Sequence, residues 1–208
     1  MPPPRNQDLH GNAPDESDVA VLLVDVINDL EFEGGDRLLP QALAMARRLA
    51  ALTARARRAG VPVIYANDNF GRWRSDFRAL LERCVGEDVR GRPVAQRLAP
   101  QPEDYVILKA KHSAFYSTTL DLLLRYLKTQ TLVLGGLTGD RCVLFTASDA
   151  YMRDFRLVVP ADGVASIDRA ANRRALAQMR TLLDADVRPS RTVQLRRRLR
   201  PRARGRAA

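Results

Sequence analysis

Residues 133–151 read VLGGLTGDRCVLFTASDAY: an apolar run, two glycines, a Thr-Gly-Asp turn, and a cysteine at the opening of a helical segment. This is a strand feeding a helix through a tight turn, and the same pattern recurs along the chain. VAVLLV, Val19–Val24, is an uninterrupted apolar run closed by Asp25, which suits a parallel strand buried on both faces. Residues 40–59 repeat Ala, Leu and Met at three- and four-residue spacing with Arg between them and stop at Gly60, an amphipathic helix with a glycine end signal. VPVIYA (61–66), YVILK (105–109), 131–134 and 157–159 read as further strands, with 192–195 as a candidate last one. Helices are expected over 78–85, 118–128, 140–153 and 169–185, and the Gly/Pro-punctuated stretch 87–104 reads as a polar connection. Strand and helix alternate, so right-handed crossovers imply an α/β, three-layer Rossmann-like fold: a mostly parallel sheet of about six strands with helices on both faces.

With 208 residues and 46% hydrophobic content, the chain is long enough for one substantial core and short for two. The expected division is a disordered segment over 1–17, one folded domain over 18–195, and an Arg-rich disordered tail over 196–208. No apolar run near the start is long enough for a membrane span or a secretory leader. Two cysteines, Cys84 and Cys142, make no disulfide framework, which points to a reducing cytoplasm. Eight arginines after residue 190, with no acid among them, account for eight of the ten net positive charges. The charge therefore marks a solvated tail, with weak polyanion contact at most, rather than a specific nucleic-acid reader.

In a sheet of this kind ligands collect outside the carboxyl ends of the strands. Asp25 after VAVLLV, Lys109 at the end of YVILK, and Cys142 in the turn after the fourth strand all fall there. A thiol near a helix amino terminus and beside a lysine is tilted towards thiolate. A neighbouring carboxylate opposes that ionisation but can take the thiol proton and return it to a leaving group. Each residue also has a plain structural reading: Cys142 as packing, Asp25 as a cap, Lys109 as a snorkelling strand end, and Thr138 and Asp140 as helix caps. Lys111 shares the parity of Lys109, so spacing alone does not separate the two. Cys84, spaced from Leu80 and Leu81 as on a helix face, reads as core.

Taken together, LLVDVINDLEFEGG, ILKAKHSAFYSTTLD and GGLTGDRCVLFTASDA resemble, in order, the three motif segments of the isochorismatase-like cysteine hydrolases. That family includes nicotinamidases, carbamoylsarcosine amidases and ureidoacrylate amidases. The resemblance covers roughly residues 18–195 and implies Asp25, Lys109 and Cys142 as a catalytic triad, with Lys109 four residues before Ser113. It also implies a non-proline cis peptide at Leu137-Thr138 that aims the Thr138 N–H, with that of Cys142, at an oxyanion. Ile27 stands where many members have Gln, and Gly139 where many have Thr. Phe32, Asn69, Trp73 and Phe115 are candidate substrate-pocket residues. Nicotinamidases hold a divalent metal through an Asp and several His after the second strand; here that segment is NDNFGRWRSDF, without His. The only histidines are His10 and His112, so no metal and no other cofactor is expected, and nicotinamide is disfavoured as substrate. The implied activity is hydrolysis of a small carboxamide or ureide through a thioester, in a dimer or tetramer. The alternatives are vinyl-ether hydrolysis, in which the Asp acts as an acid, and a silent binding module of the same fold.

Overall fold

The strand Val19–Val24 (β1) is buried along its whole length, and its side chains divide by parity between two cores. Val19, Val21 and Leu23 belong to a cluster with Leu38, Met45, Leu49 and Leu52 of the helix Gly35–Arg58 (α1). Ala20, Leu22 and Val24 belong to a second, with Leu124 of Leu120–Tyr126 (α4), Ala147 of Leu144–Tyr151 (α5) and Met179 of Arg169–Leu182 (α6). A strand covered on both faces has no solvent side, which is why its sequence shows no polar alternation. The computed structural model describes residues 16–71 and 76–195.

The remaining strands are Val63–Asp68 (β2), Tyr105–Lys109 (β3), Thr131–Leu137 (β4), Arg156–Val158 (β5) and Val164–Ala165 (β6). All pair in parallel, in the order β3-β2-β1-β4-β5, with β6 alongside the end of β4. The fold is therefore the expected α/β one, a parallel six-stranded sheet with helices on both sides. The chain leaves β1 in one direction for β2 and β3, then returns to the other side of β1 for β4. Strand order reverses between β1 and β4, so the crevice at their carboxyl ends is the place for a ligand. The two strands meet tightly there: Gly136 pairs with Val24 at φ 129°, and a Cβ on it would lie 2.0 Å from the Val24 carbonyl oxygen.

Some boundaries differ from the sequence expectation. Helix α1 starts at Gly35, five residues before the expected start, and carries an exposed Pro40 inside it. The loop before it is packed so closely that a Cβ on Gly35 would lie 2.0 Å from Leu30 O. The connection 87–104 contains a short helix, Arg92–Arg97 (α3), beside Phe77–Gly86 (α2). Its Pro93 lies in the first turn, where proline starts a helix rather than breaking one. The candidate strand 192–195 is not formed; a 3₁₀ turn occupies Ser190–Thr192. Arg55 donates to the carbonyls of Ser190 and Val193, taking acceptors that a ladder would need. Ser17, just ahead of β1, is buried and donates its N–H to Leu127 O at 2.7 Å. Residues 1–15 and the basic tail 196–208 lie outside the described residues. Among those described, no helix is long and apolar enough to cross a membrane.

Gly136→Ala is expected to cost more than about 2 kcal/mol, because alanine is strained at positive φ and its methyl overlaps a strand carbonyl. Gly86→Ala, at the end of α2 with nothing within 4 Å of the added methyl, should be neutral or stabilising by under about 1 kcal/mol. Urea unfolding midpoints test the contrast, and equal midpoints for the two variants would contradict it.

Candidate active site

Lys109 ends β3 with its side chain wholly removed from solvent, so its ammonium needs partners nearby. It has four. Nζ lies 2.8 Å from Asp25 Oδ2 and 3.7 Å from Asp68 Oδ2. It also donates to Lys111 O at 3.1 Å and stands 3.7 Å from Cys142 Sγ. Of the two lysines of matching parity, only Lys109 reaches the cluster with its side chain; Lys111 is exposed and supplies a carbonyl.

Asp25 turns the chain out of β1 at φ 52°. Its Oδ1 accepts the Asp68 N–H at 2.7 Å while Oδ2 holds Lys109, so the carboxylate ties together the ends of β1, β2 and β3. Its carboxylate also acts electrostatically on the Cys142 thiol.

Beyond β4 the Leu137-Thr138 peptide is cis. The expected helix 140–153 begins instead as a π-helical turn, Gly139–Val143, and becomes α-helical only as α5. The Arg141 and Val143 N–H groups both donate to Thr138 O at 3.1 Å. Thr138 makes no side-chain cap, contrary to the capping reading. Behind the turn, the Asp140 N–H donates to Ser166 Oγ at 3.2 Å, and Ser166 Oγ donates to Asn172 Oδ1 at 2.9 Å. Gly139 is packed against this pair: a Cβ there would lie 2.1 Å from Asn172 Oδ1. Gly139 thus has a local cause, the Asn172 side chain.

Electrostatics set the proton on sulfur. Burial and the adjacent Asp25 carboxylate push the Cys142 thiol up to about 12, outweighing the pull of Lys109. The expected tilt towards thiolate is reversed, because the thiol faces a carboxylate in a place poor in water. Burial likewise raises the Asp25 carboxyl above the ordinary aspartate value, against the opposing pull of Lys109. For Lys109 burial acts to lower the pKa, yet Asp25, Cys142 and Asp68 carry it above the usual lysine value. The resting arrangement is an ammonium–carboxylate pair beneath a protonated thiol.

The pocket candidates fare unevenly. Phe32 is 40% exposed in the loop after β1. Asn69 is half-buried, its N–H on Lys109 O at 3.0 Å and its side-chain oxygen accepting from Gly71. Trp73 lies outside the described residues. Phe115 does not face the cleft: it is 4% exposed, and contacts Phe155 and the Arg153 guanidinium beyond the far end of α5 from Cys142. Sequence reading missed His112, whose Nδ1 lies 3.5 Å from Cys142 Sγ and whose ring stands 5.5 Å from that of Phe145. Its place three residues after Lys109 was the available signal.

The residues present do not suit a metal. Asp68 is turned towards the Lys109 ammonium, and among the described residues no three His, Cys, Asp or Glu side chains gather into a ligand set.

Comparison with known proteins gives the family. Residues 19–189 match the isochorismatase domain family model. The chain is 37% identical over 172 residues to the uncharacterized isochorismatase family protein YaaI of Bacillus subtilis, covering 83% of this chain and 94% of that one. It is 30% identical to the maleamate amidohydrolase of Pseudomonas putida, over 67% of this chain and 68% of that one. Among solved structures it resembles N-carbamoylsarcosine amidase from Thermoplasma acidophilum, with TM-score 0.64, 28% identity, and coverage of 85% and 98%.

Gly139→Ala should disturb the Cys142 turn by forcing Asn172 off Ser166, lowering stability by about 1–3 kcal/mol. Adding Asn172→Ala should recover most of that loss. A double-mutant cycle on thermal unfolding reads the coupling, and strictly additive losses would contradict the packing account.

Proposed function

The chain belongs to the isochorismatase family, and we propose that it is a cysteine hydrolase of a small carboxamide or ureide, acting through a thioester on Cys142. The observation carrying this reading is the buried Lys109–Asp25 pair, Nζ to Oδ2 2.8 Å, with the same ammonium 3.7 Å from the Cys142 sulfur. Two of the similar proteins, N-carbamoylsarcosine amidase and maleamate amidohydrolase, are named for cleavage of amide-type C–N bonds.

In this mechanism Asp25 takes the thiol proton as sulfur attacks the carbonyl carbon, so the high-pKa thiolate never has to exist free. Lys109 keeps Asp25 ionised in a buried site and offsets the charge that develops on sulfur and oxygen. The N–H groups of Thr138 and Cys142 face the oxyanion. As the adduct collapses, the C–N bond breaks and Asp25 returns its proton to the departing nitrogen. Water then cleaves the thioester. No step uses a metal, because the donor set does not fit one. Retention of Cys142 favours this chemistry over vinyl-ether hydrolysis, which needs only an acid.

A panel of small amides and ureides assayed for ammonia or amine release tests the proposal. Cys142→Ala should abolish release from the best substrate, and Cys84→Ser should stay within about threefold; full activity in Cys142→Ala would sink the thioester route. Asp25→Asn should lose roughly 10²–10⁴-fold. Since the ionised Asp25 is the active form and burial raises its pKa, activity should fall on acidification at a pH above the ordinary aspartate value of about 3.9. Prolonged chelation should leave turnover unchanged; loss on chelation with recovery on added zinc would contradict the metal-free mechanism.

A further inference from the structure

The mechanism above leaves one ionisable side chain at the nucleophile unused. His112 Nδ1 is 3.5 Å from Cys142 Sγ, and the residue is exposed, so it stands on the solvent side of the sulfur. Asp25, by contrast, is only 5% exposed, with one carboxylate oxygen on Asp68 N–H and the other on Lys109.

The imidazole is held where it is by groups that also hold the cysteine. Immediately before it, Lys111 O accepts from Lys109 Nζ, which itself lies 3.7 Å from the sulfur. Two residues after it, the Ala114 N–H donates to Thr146 Oγ1 at 3.0 Å, and that hydroxyl donates to Cys142 O at 2.7 Å. The ring is tilted 33° against Phe145, one turn of chain beyond the nucleophile. The backbone on either side of His112 is thus tied to groups that also contact the cysteine.

We propose that His112 is a catalytic residue of the second half-reaction, the general base for the water that cleaves the thioester. The assignment rests on the thioester reading given above. Once the amine has gone, the acyl group is on sulfur, and the attacking water must arrive from solvent, which is the imidazole's side. The water oxygen bonds to the acyl carbon and its proton passes to the imidazole nitrogen. The tetrahedral adduct collapses with cleavage of the C–S bond, and the imidazolium returns the proton to the Cys142 sulfur. Thioester and water thus become thiol and carboxylic acid, with the imidazole neutral again. Asp25 serves acylation from beneath, and His112 serves deacylation from above.

The test uses p-nitrophenyl acetate, whose nitrophenolate burst reports acetylation of Cys142 and whose steady state reports deacetylation. His112→Phe, which keeps an aromatic ring against Phe145, should retain the burst within about threefold while its steady-state rate falls by roughly 10²-fold. Acetyl-enzyme should then accumulate in the intact mass spectrum. His112→Gln should show the same split, with far-ultraviolet circular dichroism confirming that both variants fold. Asp25→Asn should instead lose the burst. If both phases slow together in the His112 variants, or neither changes, His112 is not the deacylation base and the thioester reading stands. If nitrophenolate release by the wild-type protein does not depend on Cys142, the thioester reading falls and takes this assignment with it.

Discussion

A charged lysine with no solvent contact, 2.8 Å from an equally buried aspartate, is the constraint around which the site is arranged. Taking two such charges out of water costs several kcal/mol per ion, and removing one partner of a buried pair typically costs about 3–5 kcal/mol. The pair is therefore not an economical way to hold strands together. Its neighbours explain how it is tolerated: Asp68 N–H completes the aspartate, while Lys111 O and Asp68 Oδ2 complete the lysine. Because these groups come from the ends of β1, β2 and β3, the sheet must close in its observed order before the charges are satisfied. The thiol delivered from the far side of the switch point then meets a finished electrostatic environment.

That environment reverses the simplest expectation for an enzymatic cysteine. A helix terminus and a lysine would lower the thiol pKa, but desolvation and the carboxylate raise it further than they lower it. Under the proposed thioester mechanism, Cys142 would be inert until a carbonyl is in place and would need Asp25 beside it to take the proton. In the proposed scheme the two proton-transfer tasks fall to different groups, the buried Asp25 and the exposed His112.

Much of this was legible in the chain because its signals are local. Buried parallel strands appear as unbroken apolar runs, and the residues at their ends, Asp25 and Lys109, are read directly once the strands are found. Strand parity alone did not separate Lys109 from Lys111; the family spacing to Ser113 pointed to Lys109, and it is Lys109 Nζ that lies 2.8 Å from Asp25. Helix α3 escaped notice because six residues give too little periodicity and Pro93 resembles a breaker. The Ser190–Thr192 turn depends on Arg55, more than a hundred residues away. Gly139 looked like a departure from the family until Asn172 was seen to fill the space a side chain would need. Ile27, the other departure, is buried in the first core, and its carbonyl accepts from Asn67 Nδ2 at 2.7 Å. Phe115 was misplaced for a related reason: an aromatic next to a motif is as readily core as cleft, and only its contact with Phe155 decides.

The central claim is that Cys142 rests as a thiol above an intact Lys109–Asp25 pair. The ultraviolet absorbance of thiolate, measured against pH in the wild-type protein with the Cys142→Ala protein subtracted, tests it most directly. The account predicts no thiolate signal from Cys142 below about pH 10, in keeping with a thiol pushed up to about 12. A Cys142 signal that titrates in at or below the ordinary cysteine value of about 8.5 would contradict it.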